Sequence, residues 1–330
     1  MIDEKIMDES AKIVVVTGPT ATGKTALAIK LADYFAGEII SVDSRQVYRG
    51  MDIGTGKDLD DYQIDGKIVP YHLIDIADPC YAYNLMEFCR DARSAVKKIS
   101  EAGHLPILSG GTAMYLNALL SGFSLPGAPP DEAKRQELRS KTVEELDELL
   151  KNTNPELFEQ LKDHNNRTRL LRALEKAKAP YRIPDIPHLK FESLILGVYF
   201  PRKTVHQRIE SRLDARLKEG MIEEIEKLHN AGVSWERLDF LGLEYRYVAE
   251  YLQGKTNYAE MRDKLLIKIR QFAKRQDIWF RKMEREGHII HWLPEGDFEQ
   301  GKQLIEDFLA GKELPEPKIK IKDIDYGIKK

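Results

Sequence analysis

The run Gly18-Pro19-Thr20-Ala21-Thr22-Gly23-Lys24-Thr25 constrains this chain more than any other stretch. It fits G-x-x-x-x-G-K-[ST], the phosphate-cradling P-loop that joins a strand to a helix in ATP-binding proteins. Residues 13–16 before it read as a short buried strand, and residues 26–32 after it as a helix. The glycines let several backbone N–H groups converge on one anion, and the helix N-terminus adds its positive dipole end. Lys24 supplies a point charge, and the Thr25 hydroxyl suits a Mg²⁺ ion. The alternative is a Gly-rich turn that binds nothing, and the correct flanks on both sides count against it. The motif specifies a polyphosphate binder and leaves open which polyphosphate.

The first 125 residues alternate short β-branched runs, at 13–16, 38–42, 71–76 and 106–108, with amphipathic stretches at 25–35, 83–102 and 111–120. That alternation predicts an α/β fold, a P-loop NTPase-like parallel sheet flanked by helices. Punctuators at Leu125-Pro126-Gly127-Ala128-Pro129-Pro130 end it. From Asp131 to Lys178 the chain is charged and helical by period, with Leu138, Leu146, Leu149, Leu150, Leu157 and Leu161 as apolar positions. Ala179-Pro180 and Ile183-Pro184-Asp185-Ile186-Pro187 break that pattern, and residues 193–200 read as another buried strand. A small all-helical insertion domain is therefore expected at 126–189, within a core made of 1–125 and 190–330. Residues 203–286 read as almost continuous helix, followed by a strand at 289–293 and a helix at 298–309. The lysine-rich tail from Glu313 has little to bury and is expected to be mobile.

Composition limits the function classes. Net charge is only −3, so any nucleic-acid-binding surface must be local. No run of about 18 apolar residues occurs, so no membrane span is expected. Met1-Ile2-Asp3-Glu4-Lys5 has neither the basic nor the apolar region of a secretion signal. Cys80 and Cys89 make no metal-site pattern and read as free thiols of a reducing cytoplasm.

Several constellations carry chemistry. Asp43, in Ser41-Val42-Asp43-Ser44-Arg45-Gln46, stands at a strand's carboxyl end, where open α/β sheets put their ligands. It could ligate Mg²⁺, act as a general base or cap the next turn. Ser109-Gly110-Gly111-Thr112 follows another strand; Thr112 could offer its hydroxyl to a ligand or cap a helix. P-loop ATPases also end a strand in a metal-holding Asp. Here that strand ends in Ser-Gly-Gly, and Asp75 is the only nearby candidate. Arg208, Arg212 and Arg216 share one helix face. Arg208 and Arg212 suit a diphosphate clamp, while Arg216 reads as solvated and paired with Glu210, Asp214 or Glu219. Residues 264–285 are basic, with Gln271, Gln276, Phe272, Trp279 and Phe280 interleaved. Such a stretch can hold RNA, or bury its aromatics as a core face.

Taken in order, these segments resemble the tRNA dimethylallyltransferases, or tRNA isopentenyltransferases. The resemblance rests on the P-loop, Ser41-Val42-Asp43-Ser44 with Gln46-Val47-Tyr48, Met51-Asp52-Ile53-Gly54-Thr55-Gly56-Lys57 and Tyr71-His72-Leu73-Ile74-Asp75-Ile76. It continues through Gly110-Gly111-Thr112, Arg172-Ala173-Leu174-Glu175, Arg208-Ile209-Glu210 and Gln271-Phe272-Ala273-Lys274-Arg275-Gln276 with Trp279-Phe280-Arg281. It implies a monomeric cytoplasmic transferase. Such an enzyme moves a dimethylallyl group from dimethylallyl diphosphate to N6 of the adenosine at tRNA position 37, beside the anticodon. By this resemblance the P-loop holds the prenyl diphosphate, with Mg²⁺ at Thr25, and Asp43 is the general base. Thr112 lies near the reacting amine, and Lys24, Arg208 and Arg212 stabilise the leaving diphosphate. The tRNA would meet Asp43, Ser44, Arg45, Gln46, Thr112, Arg169, Arg172, Lys274, Arg275, Gln276, Trp279 and Arg281, with the insertion gripping the anticodon stem-loop. The chain departs from the family pattern at Asn166, at Ile269 and at Gly242-Leu243-Glu244. A small-molecule kinase, a transferase acting on free adenine nucleotides, and a silent RNA-binding module are the rival classes.

Overall fold

The computed structural model describes residues 10–121, 132–138, 140–177 and 190–324. Met1 to Lys5, the punctuators at 125–130 and 179–187, and residues 325–330 lie outside the described residues. Eight strands are formed among the described residues: β1 (Ser10–Thr17), β2 (Gly37–Ser41), β3 (Gln63–Ile64), β4 (Lys67–Ile68), β5 (Tyr71–His72), β6 (Leu105–Gly110), β7 (Lys190–Tyr199) and β8 (Ile290–Pro294). Six make one parallel sheet in the order β5-β2-β6-β1-β7-β8. β1 lies near its centre because it is an uninterrupted aliphatic run, apolar on both faces. Its alternation sorts the core: Ile13 and Val15 join one cluster with Phe88, Phe280 and Trp292. Val14 and Val16 join another, with Leu27, Leu31, Leu196 and Phe308.

Helices cover both faces. They are α1 (Lys24–Tyr34), α2 (Leu85–Glu101) and α3 (Ala113–Leu120), then α4 (Glu132–Glu137), α5 (Val143–Thr153), α6 (Pro155–Gln160) and α7 (Arg167–Ala177). After β7 come α8 (Arg202–Lys218), α9 (Met221–Asn230), α10 (Trp235–Leu241), α11 (Leu243–Leu252) and α12 (Tyr258–Arg285), and after β8 comes α13 (Phe298–Leu309). α2 starts where Asn84 and Glu87 form a reciprocal capping box. α8 to α12 enclose their own apolar cluster around Leu213, Ile225, Leu238, Val248 and Leu265.

The chain divides into two compact units, residues 1–122 with 188–330, and residues 123–187. The smaller is helical where described, with Leu138, Leu146, Leu150, Leu170 and Leu174 in its core. Asn166 accepts the Arg169 N–H at 3.2 Å at the start of α7. Either Asn or Asp performs that capping task, so the departure at Asn166 leaves the helix start intact.

Two expectations need correction, and one element was not expected. The strand expected at 71–76 stops at His72, because Leu73 and Asp75 adopt left-handed conformations, φ 62° and 56°. A hairpin unforeseen from the sequence, β3 and β4, turns at Asp65-Gly66, both with positive φ. The tail is docked rather than mobile as far as Ile324. Ile321 is 0% and Ile324 7% exposed, packed with the cluster that holds Phe280, Met283 and Trp292. The Ile321 N–H and the Trp292 indole both donate to one Glu284 oxygen, at 3.0 and 2.8 Å.

Ile321→Ala is therefore expected to destabilise the fold by about 2–4 kcal/mol. The check is the urea midpoint at unchanged slope; a wild-type midpoint would show that the tail's docking contributes nothing.

Candidate active site

The carboxyl ends of β1, β2 and β6 deliver three loops to one place, beside the point where the strand order reverses. The loops are stitched together. Thr17 donates its hydroxyl to the Gly110 carbonyl at 2.8 Å, and Thr22 donates to Pro19 at 2.8 Å within the P-loop. Gly110 is obligatory, since a Cβ there would lie 2.1 Å from the Val42 carbonyl oxygen. Between these loops and α10 to α12 lies a cavity of about 340 Å³, lined among others by Thr20, Lys24, Thr25, Asp43, Thr112 and Gln276.

Asp43 shows the local task and the cavity position together. One carboxylate oxygen accepts the Arg45 and Gln46 N–H groups, at 2.8 and 3.4 Å, which fixes the side chain. The other oxygen has no hydrogen-bond partner among the described residues. Thr112 precedes α3 without capping it through its side chain. Its hydroxyl accepts the Ser44 N–H at 3.2 Å and so joins the β2 and β6 loops. Gln46 receives the Ser41 hydroxyl at 2.8 Å and donates to Gly56 at 3.0 Å, while Ser44 and Arg45 line the cavity. Gln276 is buried; it accepts the Thr20 N–H at 2.8 Å and donates to the Gly111 carbonyl at 2.9 Å.

The cations are unevenly placed. Lys24 donates to the Pro19 carbonyl at 3.5 Å. Burial and repulsion from Arg212 push its pKa down to about 8, with Asp43 opposing and Arg216 adding to the fall. Arg212 lines the cavity, whereas Arg208 is exposed beside Gly23, its guanidinium 4.4 Å from the Phe200 ring centre. Arg216 corrects the expectation of a solvated residue: its side chain is 11% exposed and lines the cavity. Glu210 and Asp214, its supposed partners, are taken by Arg262 and Arg270 of α12.

Along α12, Lys274, Arg275 and Arg281 are exposed, and Arg275 reaches the cavity wall. Phe280 is core, but Phe272 is 40% exposed and lines the cavity with Phe240, so not all the aromatics are a core face. Trp279 is half-buried under the Lys282 ammonium, 4.9 Å from its ring centre. In the smaller unit, Arg169 pairs with Asp163 at 3.3 Å and Arg172 with the buried Glu175 at 2.8 Å.

Sequence reasoning missed the supports of the loop at 51–57. Glu224 accepts the N–H groups of Asp52, Ile53 and Gly54, at 2.9, 2.6 and 3.1 Å, and the Tyr245 hydroxyl at 2.8 Å. Buried Lys57 donates to Tyr48 at 2.7 Å, to Asp52 at 2.6 Å and to Asp75. Asp75 is thus committed to a lysine. Nothing local in the sequence signals these contacts, which span up to 172 positions.

The low pKa of Lys24 makes anion binding proton-linked. Below pH 8 the ammonium is already charged; above it, a bound diphosphate must draw a proton onto Lys24. Affinity for a diphosphate is expected to fall above pH 8, by up to about tenfold per pH unit. Lys24→Met should lose that break. Calorimetry in buffers of different ionisation enthalpy measures the proton uptake; none at pH 9 would contradict the assignment.

The IPP transferase family model matches residues 46–283, and the isopentenyl transferase model matches residues 11–66. The tRNA dimethylallyltransferase 1 of Geotalea uraniireducens is 49% identical over 297 residues, covering 90% of this chain and 97% of that protein. The crystal structure of the full-length tRNA isopentenylpyrophosphate transferase from Bacillus halodurans is similar at 34% identity and TM-score 0.65, over 92% of this chain and 96% of that one. A eukaryotic dimethylallyltransferase acting on tRNA shares the fold, at TM-score 0.74 and 23% identity, over 93% of this chain and 81% of that one. The sheet, its helices and a P-loop after β1 are those expected from the sequence, and on the length and identity of these matches the chain belongs to the IPP transferase family.

Proposed function

We propose that this chain is a tRNA dimethylallyltransferase that alkylates N6 of the adenosine at position 37, beside the anticodon. The observation that carries this is the convergence of Asp43, Thr112 and Lys24 on one cavity, with the P-loop along its wall. The adenine amine is a poor nucleophile because its lone pair is delocalised into the ring. Its attack on C1 of the dimethylallyl group forms the N–C bond, and the C1–O bond breaks with its electron pair leaving on the diphosphate. The N6 proton passes to Asp43, whose second oxygen is available while the first is held by backbone N–H groups. Thr112, anchored by Ser44, is placed to hydrogen-bond near the amine. Lys24, Arg212 and Arg208 meet the charge that grows on the leaving diphosphate.

Thr25 lies on the cavity wall beside Lys24, which fits a Mg²⁺ ion held largely by substrate phosphates and water. Such an ion would add charge neutralisation at the diphosphate. The target base has to leave its stack to reach Asp43, so base flipping belongs to the reaction. The basic edge of α12 and the unit at 123–187, through Arg169 and Arg172, are assigned to the anticodon stem-loop. We take a monomer as the working unit. Free Cys80 and Cys89 suit a cytoplasmic setting. No described helix is long and apolar enough to cross a membrane. The deciding experiment supplies labelled dimethylallyl diphosphate with unmodified tRNA, AMP or ATP. Label in tRNA alone supports the assignment; label in a mononucleotide, or ATP consumption without transfer, refutes it.

Asp43→Asn keeps size and polarity but cannot accept a proton. A loss of kcat on the order of 10²–10⁴ is expected, with tRNA affinity little changed. Single-turnover rates near wild type would remove Asp43 from this role. Replacing Lys274 and Arg275 by Ala should weaken tRNA binding and flatten its salt dependence by roughly one unit per lost phosphate contact, leaving prenyl diphosphate binding intact. A double variant that binds tRNA like wild type at every salt concentration would place the RNA surface elsewhere.

A further inference from the structure

The loop that follows Lys57 brings a carboxylate to the cavity's arginines. One oxygen of Asp58 lies 3.0 Å from a terminal nitrogen of Arg212 and 3.7 Å from one of Arg216. Asp58 is the only carboxylate within ion-pair distance of either arginine among the described residues. The longer contact does not amount to a hydrogen bond, and that buried Arg216 nitrogen has no hydrogen-bond partner. Gly56 explains how close the arginines come: at φ 62°, a Cβ there would sit 1.4 Å from Arg216 and 2.3 Å from Arg212. The guanidinium groups therefore fold against bare backbone and face Lys24, whose pKa they depress.

Asp58 itself is unusual. It holds a left-handed backbone conformation, φ 45° and ψ 51°, which a non-glycine residue adopts at a cost. It also stands at the cap position of the short turn Leu59–Tyr62, where Asp is a favoured capping residue, yet its side chain makes no capping bond. The carboxylate is turned to the arginines instead.

We propose that Asp58 is a displaceable counter-ion. It occupies Arg212 and Arg216 while the cavity is empty and yields them to the diphosphate on binding. The proposal rests on the assignment of this cavity to a prenyl diphosphate. A diphosphate carries more charge and more acceptor oxygens than one carboxylate, and it can satisfy the unpartnered Arg216 nitrogen. After transfer, the carboxylate competes for the same arginines and helps expel the product diphosphate. Asp58 thus acts through the arginines, as a positioning residue, without touching the reacting atoms.

The test uses the full chain and inorganic pyrophosphate, with dimethylallyl diphosphate alongside. Asp58→Asn removes the charge while tolerating the left-handed backbone. Pyrophosphate is expected to bind about twofold to fivefold more tightly to this variant. Single-turnover transfer should persist while multiple turnover slows, because product leaves later. Asp58→Glu, which keeps the charge, should bind pyrophosphate like wild type, and adding Arg216→Met to Asp58→Asn should abolish the gain. If the wild type binds neither diphosphate, the cavity assignment falls and the counter-ion role with it. If the wild type binds both and Asp58→Asn binds pyrophosphate equally or more weakly, only the counter-ion role is overturned.

Discussion

One side-chain amide joins the parts of this molecule that the chemistry requires together. Gln276 takes the Thr20 N–H of the P-loop and gives a hydrogen to the Gly111 carbonyl after β6. It does so from the middle of α12, the helix that also carries the exposed basic residues. Both bonds are buried or partly buried, where an unmatched amide or carbonyl costs about 1–3 kcal/mol. The P-loop, the β6 loop and α12 therefore share a single register. A shift of α12 would strand three polar groups at once, so the cavity geometry and the basic helix edge are fixed by one constraint.

Positive charge gathers in the cavity beside the P-loop. Lys24, Arg212 and Arg216 crowd together in a chain whose net charge is slightly negative. Burial first, and then repulsion from Arg212 and Arg216, lower the pKa of the Lys24 ammonium, with Asp43 opposing. Such sites bind strongly because ligand removes an existing strain as well as making new contacts. Glu244, half-buried on the same wall, has its pKa raised chiefly by desolvation, so its carboxyl is a weak partner for them.

The sheet and P-loop were legible in the sequence because they are local. A four-residue aliphatic run followed by Gly-x-x-x-x-Gly-Lys-Thr allows few geometries. Asp43 and Thr112 were legible as positions, since strand ends in a parallel sheet converge by topology. Arg216 was not. Helical spacing places it on a face but does not say what that face meets, and Arg262 and Arg270 of a helix about fifty residues downstream removed its supposed partners. The short β5 was misread because an apolar run conceals the left-handed residues Leu73 and Asp75. The docking of the tail through Ile321 was not foreseen because scattered isoleucines make no period. Glu224 escaped because its partners are backbone groups, which carry no sequence signature.

The pairing of β1 with β7 also sets a timetable for biosynthesis. β1 is synthesised long before one of its partners: one of its edges waits for residues 190–197, and β8 joins only after residue 290. At about 5–20 residues per second, that edge stays unpaired for on the order of ten seconds or more. The helices of residues 132–177, which have an apolar cluster of their own, are synthesised within that interval. The nascent chain thus carries a half-built sheet meanwhile, with the aliphatic strand Ile13-Val14-Val15-Val16 unpaired along one edge. Chaperone demand during synthesis should concentrate there, on the same strand that later anchors the phosphate loop.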